Sequence, residues 1–158
     1  MESHGRIAYQ FSLMSTLQTR ALADMYTRKF ALSVNCWWVM AVIGRFPDGS
    51  ASNVVSHTTL EPDKVTRAVD VLVARGLVRR RQDEEDRRRV VLSLSAKGQK
   101  VFDEIEGVRR GLEGALLKGL PARERDAFCA TLDKLEARSR ELFTERHGWK
   151  QILEEEAT

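Results

Sequence analysis

Cysteine is nearly absent from this chain. There are two in 158 residues, Cys36 and Cys129, far apart and in no metal-ligand spacing. That excludes a disulfide scaffold and a cysteine-based zinc site, and it fits free thiols in a reducing compartment. Histidine is scarce too: three scattered residues supply neither a metal cluster nor a nucleophile–base pair. With no glycine-rich phosphate loop either, no enzyme, metal or cofactor is expected. The longest unbroken apolar run, Cys36 to Ile43, is far too short to span a bilayer. The opening MESHGRIAYQ lacks the apolar stretch of a secretory signal. The expectation is a soluble cytoplasmic protein with no membrane partner. Proline and glycine are few, three and ten, which suits a helix-rich chain.

Charge is abundant and unevenly placed. The formal net charge is only +3. From Glu61 to Lys100, however, eleven basic residues face seven acidic ones, and from Pro121 to Thr158 seven basic residues face nine acidic ones. The excess gathers around Arg79 to Ser95, RRRQDEEDRRRVVLSLS, which reads as an arginine-rich strand, a four-acid tip and a second strand with Val/Leu alternation. A basic β-hairpin of this kind is an electrostatic footprint for nucleic acid.

Around it, apolar spacing predicts helices. Ile7, Phe11, Met14, Leu17, Ala21 and Met25 recur at helical intervals over about Arg6 to Phe30. Ser33 caps a second helix, Val34 to Arg45, whose Trp37-Trp38-Val39-Met40 run reads as buried on most sides. Phe46-Pro47-Asp48-Gly49 is a turn by composition, and Ser50 caps a short third helix, Ala51 to His57. Pro62 opens a fourth, with Val65, Ala68, Val69 and Leu72 along one face and Arg75-Gly76 as its stop. Leu77 to Gln82 then pairs with Arg88 to Leu94 across Asp83, Glu84, Glu85 and Asp86. Ser95 caps a fifth helix with Val101, Ile105, Val108 and Leu112 in a stripe. After Gly119 and Pro121 comes a sixth, striped by Phe128, Leu132, Leu135 and Leu142. An acidic tail, Glu154 to Glu156, follows. This order gives a mainly α fold with a small β-hairpin wing: a winged helix-turn-helix over residues 33–95, flanked by N- and C-terminal helices in residues 1–32 and 96–158. The flanking helices carry apolar stripes that a compact middle domain does not cover. A homodimer buries them and supplies two docking helices to a palindromic duplex, while an intramolecular three-helix bundle is the alternative.

Opposite its buried stripe the fourth helix presents Asp63, Arg67, Asp70 and Ala74, with Lys64 and Thr66 on the flanks. Arginine can donate a bidentate pair to guanine, and lysine and threonine can meet bases or phosphates. The same spacing describes a solvated ion-pair network of Asp63, Arg67 and Asp70. The neighbouring hairpin favours double-stranded DNA, which makes Asp63, Lys64, Thr66 and Arg67 the candidate recognition set. Arg87, Arg88 and Arg89 flank the hairpin tip, and a narrow minor groove attracts inserted arginine. Asp86 can orient one of these guanidiniums by a charge-assisted bond. A hairpin edge kept soluble by charge explains the acids but not the arginines. Around the third helix, Ser52, Asn53, His57 and Thr59 are candidates for backbone phosphates, although capping and turn formation account for several of them equally well.

The hairpin motif Asp86, Arg88, Leu92, Leu94, Ser95 and then Gly98, preceded by VTRAVDVLVARGLVRR from Val65 to Arg80 and by Trp37, resembles the MarR family of bacterial transcriptional regulators. Serine stands where the family's pattern has threonine. The resemblance spans nearly the whole chain. It implies a homodimer on a pseudo-palindromic operator, with Arg67 and Lys64 in the major groove, Arg88 in the minor groove and Asp86 as its partner. It further implies a repressor relieved by a small aromatic or phenolic ligand, with Trp38 as an aromatic wall and Arg20 as a carboxylate anchor; the plain alternative is a core Trp38 and a solvated Arg20. Peroxide-sensing members carry a cysteine near the start of the first helix, and this chain has none there. Cys36, opening the second helix, keeps a thiol-based redox-sensing regulator as one alternative. A winged-helix protein-interaction module, its acidic tip meeting a basic partner, is another.

Overall fold

The structure is a computed structural model that describes residues 6–47, 49–83 and 86–142. Asp48 of the expected turn, Glu84 and Glu85 of the hairpin tip and the acidic tail lie outside those residues. The elements are α1 (Arg6–Phe30), α2 (Val34–Arg45), α3 (Ala51–Ser56), α4 (Pro62–Ala74), β1 (Val78–Gln82), β2 (Val90–Leu94), α5 (Ala96–Leu116) and α6 (Ala122–Leu142). Contacts divide the chain into two compact units, residues 1–109 and 110–158, with α5 running from the first into the second.

Local chemistry sets the boundaries. Ser33 Oγ accepts the Cys36 N–H at 3.1 Å and starts α2. Ser50 and Asn53 form a reciprocal capping box at α3. Pro62 occupies the first turn of α4, where a missing N–H leaves no bond unmade. Gly76, at φ 67°, ends the same helix: its N–H donates to Val73 O at 2.9 Å and the Leu77 N–H to Leu72 O at 2.9 Å. That is a Schellman closure, and the left-handed residue it needs is cheapest as glycine.

The core of the first unit is built on α2, where Trp37, Val39, Met40, Ala41, Val42 and Ile43 are all buried. Val65, Ala68, Val69 and Leu72 of α4, together with Leu77, Val78, Val91 and Leu92 of the hairpin, complete it. Each fully buried Val or Leu here contributes about 1.5–3 kcal/mol. β1 and β2 pair antiparallel, Val78 opposite Leu94 and Gln82 opposite Val90. The expected second strand is shortened at its start: Arg87 and Arg88 belong to the turn. An isolated bridge adds to the sheet where the Leu92 N–H donates to Gly49 O at 2.9 Å. By composition the Phe46–Gly49 stretch predicts only a turn.

Two apolar expectations change. Trp38 is 41% exposed, so the tryptophan pair splits, with Trp37 inward and Trp38 outward. Successive residues on a helix are a hundred degrees apart, so when Trp37 points toward α1 and α5, Trp38 is turned away from them. On α1, the residues buried within the unit are Leu22 and Tyr26, one turn apart, rather than the Ile7-to-Met25 stripe. Ile7, Phe11, Met14 and Leu17 of that stripe face solvent. Tyr26 stacks on Trp37 (centroids 5.5 Å apart), which stacks on Phe102 of α5 at 5.9 Å. Glu106 pairs with Arg45 at 3.0 Å and Arg109 at 3.4 Å, and the Arg109 guanidinium lies 5.8 Å from the Trp37 ring centre. These ties lock the first part of α5 onto α1 and α2. In the second unit, α6 has no buried residue, and its Phe128 and Leu135 are exposed.

Candidate nucleic-acid interface

Helix α4 buries one face in the core and turns the other outward. Asp63, Lys64, Thr66, Arg67 and Asp70 all lie on the exposed side, as the spacing required. Arg67 Nη2 is 3.6 Å from Asp63 Oδ2, longer than a good hydrogen bond, and its side chain is 81% exposed. The pair is loose enough for the guanidinium to be taken by a stronger acceptor. The Thr66 hydroxyl donates to Pro62 O at 2.9 Å, which leaves its oxygen lone pairs and methyl group for an outside partner.

The hairpin stands beside this helix on its buried Leu77, Val78, Val91 and Leu92, and at the surface Arg80 of β1 donates to Asp70 of α4 at 2.5 Å. The sequence had suggested Arg67 as the partner of Asp70; the structure gives that carboxylate to the hairpin instead. At the tip, Asp86 Oδ1 accepts the Arg88 backbone N–H at 2.9 Å, and the Arg89 N–H donates to Asp86 O at 2.9 Å. Asp86 therefore positions Arg88 through its backbone, as an Asx turn. Asp83 lies 3.7 Å from the Arg89 guanidinium, and its own N–H donates to Arg89 O at 2.9 Å. Both described acids of the tip are engaged in shaping the turn. Arg87 and Arg88 are exposed.

Across a shallow groove from Arg88, Arg89 and Val90 sit Ser50, Ser52 and Asn53 of the α3 start. The Ser50 and Ser52 hydroxyls are 2.7 Å apart, and Asn53 Oδ1 accepts from both Ser50 N and Ser50 Oγ at 2.8 Å. Asn53 is thus held by the cap, and its amide nitrogen is the group left to meet a phosphate. His57 Nδ1 lies 2.8 Å from Asn53 O, and its ring is 4.2 Å from Phe46. A carbonyl has no hydrogen to give, so Nδ1 is the donor, and Nε2 donates to a phosphate only when the ring is cationic. Thr59 is exposed in the loop before α4.

Arg20 of α1 and Trp38 of α2 are both exposed. Cys36 is buried and Cys129 exposed; burial denies Cys36 the access that oxidant sensing needs. Among the described residues no group of three or more His, Cys, Asp or Glu side chains is placed to hold a metal ion. No described helix is long and apolar enough to cross a membrane.

Residues 32–89 match the MarR family. The chain is 25% identical over 108 residues to the HTH-type transcriptional regulator BilQ of Clostridium symbiosum, covering 68% of this chain and 75% of that one. Among solved structures it is similar to FabT of Streptococcus pneumoniae, crystallised in complex with DNA, at TM-score 0.76 and 21% identity over 89% of this chain and 99% of that one. It is also similar to a MarR-family transcriptional regulator of Silicibacter pomeroyi, at TM-score 0.72 and 25% identity over 90% and 95% of the two chains.

Proposed function

We propose, from the match of residues 32–89 to the MarR family, that the chain is a cytoplasmic repressor, not an enzyme, binding a pseudo-palindromic operator as a homodimer. Residues 33–95 are the DNA-binding domain, and residues 1–32 and 96–158 supply the dimer contact. Lys64, Thr66 and Arg67 meet the major groove, with Asp63 as the near neighbour that Arg67 leaves for a base. Arg88 enters the minor groove, flanked by Arg87 and Arg89. Ser52, Asn53, His57 and Thr59 sit on backbone phosphates.

The observation that carries this reading is the hairpin packed against α4 by buried Leu77 and Val78 and tied to it by the Arg80–Asp70 bond, so that its arginines stand alongside the exposed face of α4. One rigid surface then offers a rod for the wide groove and a prong for the narrow one. Duplex binding by the wild type and by Arg88→Ala, measured across salt concentrations, tests it. We expect a slope of log affinity on log salt of about −0.9 per phosphate neutralised, and a weaker variant that keeps the wild-type assembly state. Equal affinity in the two proteins for a duplex from the protein's own upstream region sinks the wing assignment.

Modulation by a small aromatic or phenolic acid belongs to the same proposal, with Trp38 as a stacking wall and Arg20 as a carboxylate anchor. The outward turn of Trp38 supports it. The check is whether such acids shift duplex affinity in the wild type and lose that effect in Trp38→Ala.

A further inference from the structure

Arg75 reaches away from the proposed DNA-contacting surface. It is the C-terminal cap of α4, and its guanidinium forks onto the end of a different helix: Nη1 donates to Ala31 O and Nη2 to Phe30 O, both at 2.6 Å. Phe30 O is one of the carbonyls left without an intrahelical partner at the end of α1, and Ala31 O follows directly after it. Ala31 adopts φ 49°, a left-handed conformation unusual for a residue with a Cβ, and the Leu32 N–H donates back to Tyr26 O at 2.8 Å. The end of α1 is thus wound into one shape, and Arg75 holds it there. From the other side, Lys97 Nζ of α5 donates to Arg75 O at 3.1 Å. One residue therefore joins the C-terminal ends of α1 and α4 to the first turn of α5. Two helix C-termini brought together present like partial charges, and the cation between them offsets that repulsion.

We infer that Arg75 is a positioning residue that fixes the direction of α4 relative to α1, and so sets the distance between the two recognition helices of a dimer. The inference rests on the proposed reading of the chain as a dimeric operator-binding protein. Beyond the clamp, α1 continues into the exposed apolar stripe of Ile7, Phe11, Met14 and Leu17, the surface a second copy would cover. A helix gripped by its mate at one end and by Arg75 at the other transmits its orientation to α4. The guanidinium's planar fork suits this task, because it grips two oxygens at a fixed angle; a lysine ammonium meets them as a point charge that tolerates many angles.

The test uses the full-length protein, its selected operator, and duplexes in which the half-site separation is lengthened or shortened by one or two base pairs. The wild type should bind one separation best. Arg75→Lys and Arg75→Gln should each lower the preference for that separation over its neighbours by at least about fivefold, the lower range of coupling between sites. Their salt slopes should match the wild type, since no phosphate contact is lost. Arg75→Lys preserves charge and tests the geometry should Arg75→Gln fail to fold. Wild-type spacing profiles in Arg75→Lys overturn the inference, and so does a reduced salt slope, which would make Arg75 a direct phosphate contact. A wild type that binds duplex yet tolerates every separation overturns it too. A wild type that binds no duplex at any salt sinks the operator-binding reading, which is a different failure.

Discussion

Gly98 leaves no room for a single added carbon. A Cβ built there falls 2.0 Å from Leu77 O and 2.9 Å from Leu77 C, both backbone atoms that cannot swing aside. Gly98→Ala should therefore push the first turn of α5 off the start of the hairpin and destabilise the fold by about 1–3 kcal/mol or more, the range for overpacking. Thermal unfolding of the variant checks it, and an unchanged melting temperature would mean this approach is not so tight in solution. Ala31 offers the opposite sign. Its φ of 49° suits glycine better than alanine. Ala31→Gly should raise stability by about 0.5–1 kcal/mol, the relief of left-handed strain being partly offset by greater freedom in the unfolded chain. Denaturant unfolding with an unchanged slope would read this cleanly.

Helix boundaries are where the chain was most legible. Ser33, Ser50, Pro62, Gly76 and Ser95 each mark an end that the structure reproduces, because a cap is a bond between residues three or four apart and needs no tertiary information. Less legible was anything that depends on a distant partner. The bridge between Gly49 and Leu92 joins residues more than forty apart. Leu22 and Tyr26 became the core face of α1 because α2 and α5 meet it there, while the longer apolar stripe, stronger in the sequence, points outward. Periodicity identifies an apolar face and is silent on what covers it. Gly98 belongs to the hairpin motif that resembles a family pattern, yet the reason for it, the carbonyl of Leu77, appears only in three dimensions. Ser95 shows how much one cap can hold: its Oγ accepts the Gly98 N–H at 2.9 Å and donates to Gly76 O at 2.6 Å, while its N–H donates to Leu77 O at 2.9 Å. Ser95→Ala should cost about 1–2 kcal/mol, toward the upper end for an N-cap because two partners are lost. Ser95→Thr keeps the hydroxyl and should recover most of that in a thermal melt.

At the level of the molecule, the apolar side chains left in solvent outline what is missing. Ile7, Phe11, Met14 and Leu17 on α1 are exposed, and so, in the second unit, are Phe128 and Leu135 on α6. Exposed apolar stripes of this kind mark association faces. Leu17→Glu combined with Phe128→Glu should turn a dimer into a monomer by sedimentation velocity and abolish tight operator binding, because each recognition helix would then act alone. A wild-type protein already monomeric at micromolar concentration would return these stripes to packing within one chain.

The split between Trp37 and Trp38 equips the protein with a spectroscopic reporter that needs no label. Trp37 is 1% exposed, sandwiched between two rings, and its indole N–H is buried with no hydrogen-bond partner among the described residues. Its neighbour along the chain stands in water. With Trp149, which lies outside the described residues, replaced by phenylalanine, a collisional quencher such as iodide should extinguish the red-edge emission of Trp38 and leave the blue emission of Trp37 intact. Anything that stacks on the outer indole would then register as protection from quenching, while loosening of the interior would register at the inner one.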